Sequence, residues 1–267
     1  HQEAAAKSGA RIVFSCGFDS LPFDLGVLFL QDAAKERFGK TCPRVRTRVR
    51  AMKGEFSGGT AASLKATMDA LGTNPEQLSI LIDPFSLADG FKGPEQPADN
   101  KPYEDEVVGQ WVAPFIMAAI NTRNVHRSNA LLGHAYGTDF LYDEMMIAGT
   151  GEEGKAIAQV IASTNPLAGD DVPAPGEGPS RESREAGNYD VLLVGTTDDG
   201  QHIRAAVTGD MDPGYGSTSK MIAESAVCLL NDCPDLAGGI YTSAPAMGHK
   251  LINRLTQYAG LTFELED

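Results

Sequence analysis

The segment Arg11-Ile12-Val13-Phe14-Ser15-Cys16-Gly17-Phe18-Asp19-Ser20-Leu21-Pro22-Phe23-Asp24-Leu25-Gly26 constrains the fold more than any other. An apolar run predicts a strand over 11–16. The tight Gly17-Phe18-Asp19-Ser20 turn follows, and Pro22 sits in the first turn of a helix expected from Ser20 to Phe38. This is a strand-to-helix crossover of an α/β sheet, and such sheets place ligands at the polar turn after a strand. One strand cannot make a sheet, and this one lies ten residues from an N-terminal His1 that is not Met. Its partner strands are expected either later in the chain or upstream of His1.

A chain of 267 residues can bury the core of one large domain or two ordinary ones. No apolar run approaches the ~20 residues of a transmembrane helix, and no secretory signal pattern is visible. The net charge of −14 argues against nucleic acid and anionic membrane surfaces as main partners. Cys16, Cys42, Cys228 and Cys233 form no CxxC pair. Reduced thiols, no metal and a cytoplasmic location are therefore expected, with peripheral membrane association left open.

Residues 44–52 alternate Val45, Thr47, Val49 and Ala51 against Arg44, Arg46, Arg48 and Arg50, the period-2 pattern of a half-exposed strand. Four arginines on one face require acidic neighbours. Ser57-Gly58-Gly59-Thr60 leads into a helix over 60–71, and a short helix is expected over 75–82. Residues 88–106 read as a loop, 114–132 as a helix, 139–148 as a strand and 155–163 as a helix. A Pro/Gly/acidic linker covers 165–187. A hairpin, 189–197 with 201–209, turns at Asp198-Asp199-Gly200. Helices over 217–231 and 245–258 and a strand over 261–265 complete the chain.

Gly149-Thr150-Gly151-Glu152-Glu153-Gly154 fits the dinucleotide fingerprint G-x-G-x-x-G literally. Glu152 and Glu153 would stand where phosphates must sit, and the preceding strand is too polar for the centre of a parallel sheet. The acidic pair twenty residues on, Asp170-Asp171, falls in the linker. An acid-rich helix start is the simpler reading. The loop from Gly209 to Lys220 feeds Ser217 or Thr218 into a helix N-terminus, either as a capped turn or as a substrate site. On helix 114–132, Arg123 and Arg127 are four apart and repel unless an anion lies between them. His126 beside them is the candidate proton donor.

The block CGFDSLPFDLG, with KGEFSGGTAASL (53–64), WVAPFIMAAINTRNVHRSNALL (111–132), PGEGPSRESREAG (175–187), VTGDMDPGYGSTSKM (207–221) and GGIYTSAPAMGHKLINRL (238–255), resembles the bacterial saccharopine-dehydrogenase-like oxidoreductases, including the trans-acting enoyl reductase group. The resemblance implies α/β with α+β architecture: a remnant of a Rossmann-type sheet (1–40), a mixed-sheet α+β domain for substrate and dimer contacts (41–240), and a helix and strand (241–267) returning toward the first. It places Gly17, Phe18, Asp19 and Ser20 on the nicotinamide side. Ser57, Gly58, Gly59, Thr60, Asn121 and Arg127 fall on the substrate side, with His126 and Arg123 as catalytic candidates. It implies NAD(P), an unsaturated small-molecule or acyl-chain substrate and a homodimer. The fingerprint half of the dinucleotide domain is expected upstream of His1, so cofactor binding by this chain alone is not expected. The competing reading is a non-catalytic dimerisation or lipid-associated scaffold of the same fold.

Overall fold

The computed structural model describes residues 1–55, 57–164, 173–174 and 176–266. The alternating segment becomes β2 (Arg44–Lys53), parallel to β5 (Leu141–Gly149) and antiparallel to β6 (Asn188–Thr196). The Asp198-Asp199-Gly200 turn returns β6 into β7 (His202–Gly209), and β9 (Leu261–Glu266) pairs with β7 at one edge. At the other edge lie β4 (Gln110–Pro114) and β3 (Tyr103–Asp105), giving the order β3-β4-β5-β2-β6-β7-β9. A separate parallel pair joins β1 (Arg11–Val13) to β8 (Gly239–Tyr241). The fold is α/β combined with α+β, as the sequence implies.

The helices are α1 (Gln2–Ser8), α2 (Leu21–Phe38), α3 (Gly58–Thr73), α4 (Leu78–Ile82), α5 (Ala118–Leu131), α6 (Gly151–Ser163), α7 (Arg181–Glu185), α8 (Gly216–Val227) and α9 (Ser243–Tyr258). Helix α2 is buried along most of its length because it lies between the sheet and α9. At Gly26 the helix meets the sheet, where a Cβ would come within 3.0–3.1 Å of Leu193 and Val207. Asp24, one turn into α2, accepts from Ser243 Oγ (2.7 Å) and the Ala244 N–H (2.8 Å), so it caps α9 across the core. Phe23 of α2, Leu193 of β6 and Leu255 of α9 share one core.

On β2, Val45, Thr47 and Val49 are buried, and three of the four arginines meet acids, while Arg46 donates to Thr196 Oγ1 (3.3 Å). Arg44 pairs with Asp143 of β5, Arg48 with Asp105 of β3 (2.7 Å) and Asp143 (2.8 Å), and Arg50 with Asp190 of β6 (2.8 Å) and Glu266 of β9 (2.7 Å).

Several local expectations are corrected. The helix expected from 114 starts at Ala118, and Gln110–Pro114 is the strand β4. The apolar run Trp111–Ile120 has no clear period, so periodicity cannot separate the two elements. The strand at 11–16 stops at Val13 because Ser15 turns the chain at φ +58°. The loop 88–106 contains β3, and the linker contains α7. The middle of that linker, 165–172, lies outside the described residues.

Candidate functional site

Four of the sequence blocks converge on one cavity of about 130 Å³. Phe18 and Asp19 come from the turn before α2. Met52, Gly54, Glu55, Ser57 and Thr60 come from the end of β2 and the start of α3. Phe115, Ile116 and Met117 bridge β4 to α5, and Pro213, Gly214, Tyr215 and Thr218 lead into α8. The walls approach closely only because glycine stands at two points. A Cβ on Gly54 would lie 2.6 Å from Pro213 Cδ, and one on Gly214 would lie 2.6 Å from the Glu55 carbonyl oxygen.

Hydrogen bonds hold each wall. Thr218 Oγ1 accepts the Phe18 N–H (2.9 Å) and donates to the Pro213 carbonyl (2.8 Å), tying the first turn to the α8 loop. Fully buried Asp212 accepts the N–H groups of Tyr215 (3.0 Å) and Gly216 (2.7 Å). Ser57 caps α3, its Oγ accepting the Thr60 N–H at 3.1 Å. The Phe18 ring packs 4.7 Å from Tyr189.

The lining combines apolar side chains, the hydroxyls of Ser57, Thr60, Tyr215 and Thr218, and the carboxyls of Asp19 and Glu55. Desolvation pushes the Asp19 carboxyl above its ordinary value. No Lys, Arg or His is among the described lining residues. Such a surface suits an uncharged, hydrogen-bonding group on an apolar body and disfavours a phosphate.

Of the residues singled out from sequence, Phe18, Asp19, Ser57 and Thr60 line this cavity. Gly17 lies behind it, where a Cβ would meet Thr218 Cγ2 at 3.0 Å. Gly58 donates to the Glu177 carbonyl (3.0 Å), and Gly59 stands beside Ser57 and Tyr215. Ser20 and Asn121 are buried together one layer deeper, with Ser20 Oγ donating to Asn121 Oδ1 at 2.8 Å.

Arg123, His126 and Arg127 do not line the cavity. The anion expected between the arginines is replaced by backbone carbonyls: Arg123 donates to Leu81, and Arg127 to Leu87 (2.8 Å) and Ile240 (2.6 Å). His126 is buried between Phe85 (4.4 Å) and Phe140 (5.8 Å), and its Nε2 has no partner among the described residues. Burial drives its pKa down to about 4, which corrects the expectation of a near-neutral proton donor. In an NMR titration its imidazole is expected to protonate near that value. Because the folded value is depressed, His126 destabilises the fold progressively as pH falls from its unfolded value of about 6.5 toward about 4. A midpoint above about 6 would return His126 to the list of physiological proton donors.

The literal fingerprint does form a strand, turn and helix, with Gly149 at φ +118° and Gly151 at φ +61°. Glu152 and Glu153 nevertheless occupy the first turn of α6, where they complement the helix dipole and repel a diphosphate. The acidic pair Asp170-Asp171 lies outside the described residues. Among the described residues no group of three or more His, Cys, Asp or Glu could hold a metal, and no helix is long and apolar enough to cross a membrane.

The cavity residues missed from sequence are Met52, Gly54, Glu55 and Phe115–Met117, of which only Glu55 is polar. Tyr215 and Thr218 belong to the 209–220 loop whose glycines and hydroxyls had marked it as a possible substrate site.

No protein-family model matches the chain, and no solved structure does. Among curated proteins, it is 37% identical over 281 aligned positions to a Mycobacterium tuberculosis H37Rv protein whose name provisionally assigns it as a trans-acting enoyl reductase; the match covers 96% of this chain and 67% of the relative. It is 33% identical to the trans-acting enoyl reductase of Mycobacterium bovis BCG, covering 96% and 67%. The trans-acting enoyl reductase of Mycobacterium ulcerans is also 33% identical, at 96% and 68% coverage. The chain thus spans about two thirds of the length of these relatives.

Proposed function

The chain belongs to the trans-acting enoyl reductase family, and from that membership and the cavity we propose that it contributes the acyl-substrate side of an enoyl-reducing oxidoreductase. The observation that carries this reading is the convergence of the Gly17–Ser20 turn, the Ser57–Thr60 turn and the Pro213–Thr218 loop on one apolar cavity edged by hydroxyls. An α,β-unsaturated thioester matches that surface: a flat apolar segment ending in an uncharged carbonyl acceptor. Reduction of its double bond adds a hydride to the β-carbon and a proton to the α-carbon. Negative charge therefore develops on the carbonyl oxygen before the proton arrives, and hydroxyl donors in a water-poor site stabilise it. Tyr215, Ser57 and Thr60 are placed to donate to that oxygen. Asp19, whose carboxyl desolvation pushes above its ordinary value, is the proton source on the α-carbon side. Arg123, His126 and Arg127 then serve the packing of α5.

A nicotinamide dinucleotide, which the reductase names of the relatives imply, would supply the hydride. The cavity does not fit its diphosphate, because two carboxyls and no cation face it. We place the dinucleotide's phosphates outside the residues described here. The same reading takes β1 and β8 as part of a Rossmann-type sheet in a saccharopine-dehydrogenase-like homodimer. Its support is that β1 and β8 pair in parallel, as the strands of such a sheet do.

The test is titration of the chain with the crotonyl thioester of N-acetylcysteamine, followed by amide NMR. Shifts are expected at Phe18, Thr60, Tyr215 and Thr218, with a Kd of about 1 mM or tighter. Shifts confined to 149–154, or none, would overturn the reading. Titration with NADPH alone is expected to leave its fluorescence unchanged; tight binding would sink the placement of the diphosphate outside this chain's cavity.

A further inference from the structure

A buried chain of polar groups runs from the centre of the sheet to the turn that carries Phe18 and Asp19. Glu144, on β5, is completely buried and makes no hydrogen bond to a lysine or arginine among the described residues. Its Oε1 lies 2.6 Å from the Tyr142 hydroxyl, and its Oε2 accepts from Asn121 Nδ2 at 2.8 Å. Asn121, on α5, turns its carbonyl oxygen to Ser20, whose Oγ donates to it at 2.8 Å and accepts from Asn124 Nδ2 at 2.7 Å. All five residues are at most 2% exposed.

Ser20 is the informative member. It stands at the N-cap of α2, where a serine ordinarily turns its hydroxyl to the first helical N–H groups, yet it makes no capping bond. The hydroxyl is committed to Asn121 and Asn124 instead. Its own N–H and that of Leu21 both bond back to the Gly17 carbonyl (3.2 and 2.9 Å), so its orientation sets the plane of the turn. Phe18 and Asp19, the two cavity residues of this turn, lie between those anchor points.

We propose that Glu144 is a positioning residue, which through Asn121 and Ser20 fixes the direction in which the Gly17–Ser20 turn presents Asp19 to the cavity. Its functional meaning rests on the acyl-cavity reading above; its geometry does not. Complete burial favours the neutral acid, and the carboxyl is pushed well above its ordinary value by desolvation, with the hydrogen bonds from Tyr142 and Asn121 opposing and Asp99 and Asp143 adding to the rise. Tyr142 and Asp143 belong to its own strand, Asp143 on the opposite face, and Asp99 to the loop before β3. Thr47 of β2 completes the arrangement. When Glu144 holds its proton, that proton can bond to the Tyr142 oxygen, and the Tyr142 hydrogen can turn to Thr47 Oγ1, a buried hydroxyl with no other partner among the described residues. Glutamine reproduces the neutral pattern, donating to Tyr142 and accepting from Asn121. Leucine reproduces only the volume.

The experiment follows the Phe18–Ser20 amides by NMR in the wild-type chain, Glu144→Gln and Glu144→Leu, with the Thr197–Gln201 turn as a distant reference. In the wild type these amides are expected to shift on raising the pH, with the midpoint of the Glu144 carboxyl carbon signal, and in Glu144→Gln that shift disappears while the low-pH pattern remains. Glu144→Leu moves the turn amides, leaves the reference in place and weakens crotonyl-thioester binding at least about tenfold. Turn amides that ignore pH in the wild type, or shift equally in Glu144→Gln, would overturn the proposal even if Glu144→Leu fails to fold. If the thioester does not bind the wild type while the pH coupling is present, the acyl-cavity reading falls and the positioning role stands.

Discussion

Arg48→Ala is expected to destabilise the fold by about 3–5 kcal/mol, read as a lowered denaturation midpoint in urea. Arg48 has no exposed surface, and it lies between Asp105 and Asp143, both at most 3% exposed. Its Nε donates to Asp105 Oδ2 (2.8 Å), and its Nη2 donates to the Tyr103 hydroxyl (2.8 Å). Alanine leaves buried Asp105 without its cation and Asp143 with Arg44 alone, which costs more than the pair itself contributes. The pH dependence gives a second reading of the same cause. Burial alone would raise the Asp105 carboxyl, but the charge and hydrogen bonds of Arg48 overcome it and hold the group below its ordinary value. In the wild type this contribution is present above the unfolded pKa of about 3.8 and is lost as pH falls through the lower folded value. In Arg48→Ala the sign reverses, since an unpaired buried carboxyl is raised and gains from protonation. The two stability curves should therefore converge as the pH is lowered. Parallel curves, or a difference under about 1 kcal/mol, would show that the ion cluster does not hold this end of the sheet.

Gly59→Trp is expected to lower crotonyl-thioester affinity by about 10- to 100-fold, or about 1.4–2.7 kcal/mol, while leaving the fold intact. Gly59 is the second residue of α3, with an ordinary helical φ, and a Cβ there would lie 3.7 Å from Ser57 Oγ and 4.0 Å from the Tyr215 hydroxyl. An indole grown from that point occupies the edge where the two hydroxyls meet the cavity. The helix itself loses nothing, because glycine is a poorer helix former than tryptophan by a few tenths of a kcal/mol. Gly72→Trp is the control: it lies near the other end of the same helix, with open space around its Cβ. Equal effects of the two substitutions, or undiminished binding in Gly59→Trp, would remove this wall from the site.

Legibility of the fold followed local physics. The β2 alternation, the Asp198–Gly200 hairpin and α2 were readable because each carries its own period or turn residue within ten to twenty positions. Strand β4 was not, since Trp111–Ile120 is apolar without a period, and pairing with β5 decided it. The three-residue β8 has too little sequence to show any pattern, and it exists through its register with β1. At the site, glycine-rich turns announced the Ser57–Thr60 and Pro213–Thr218 walls. The apolar wall Phe115–Met117 announced nothing. The burial of His126 was not legible, because charge neighbours are visible along a helix, whereas the aromatic rings that desolvate it arrive from distant segments.

The sequence by itself determined the strand–turn–helix at 11–26, the arginine face that had to be met by acids, and the three polar turns that line the cavity, because each depends on residues a few positions apart. Only the tertiary structure decided that those turns share one cavity, which acids meet which arginines, and that Ser20 turns from its cap toward Asn121 and Glu144. The physical reason is range. Propensity and capping act within one or two turns of chain, while burial and long-range hydrogen bonding depend on what folding brings alongside, and at Ser20 and His126 the second outweighed the first.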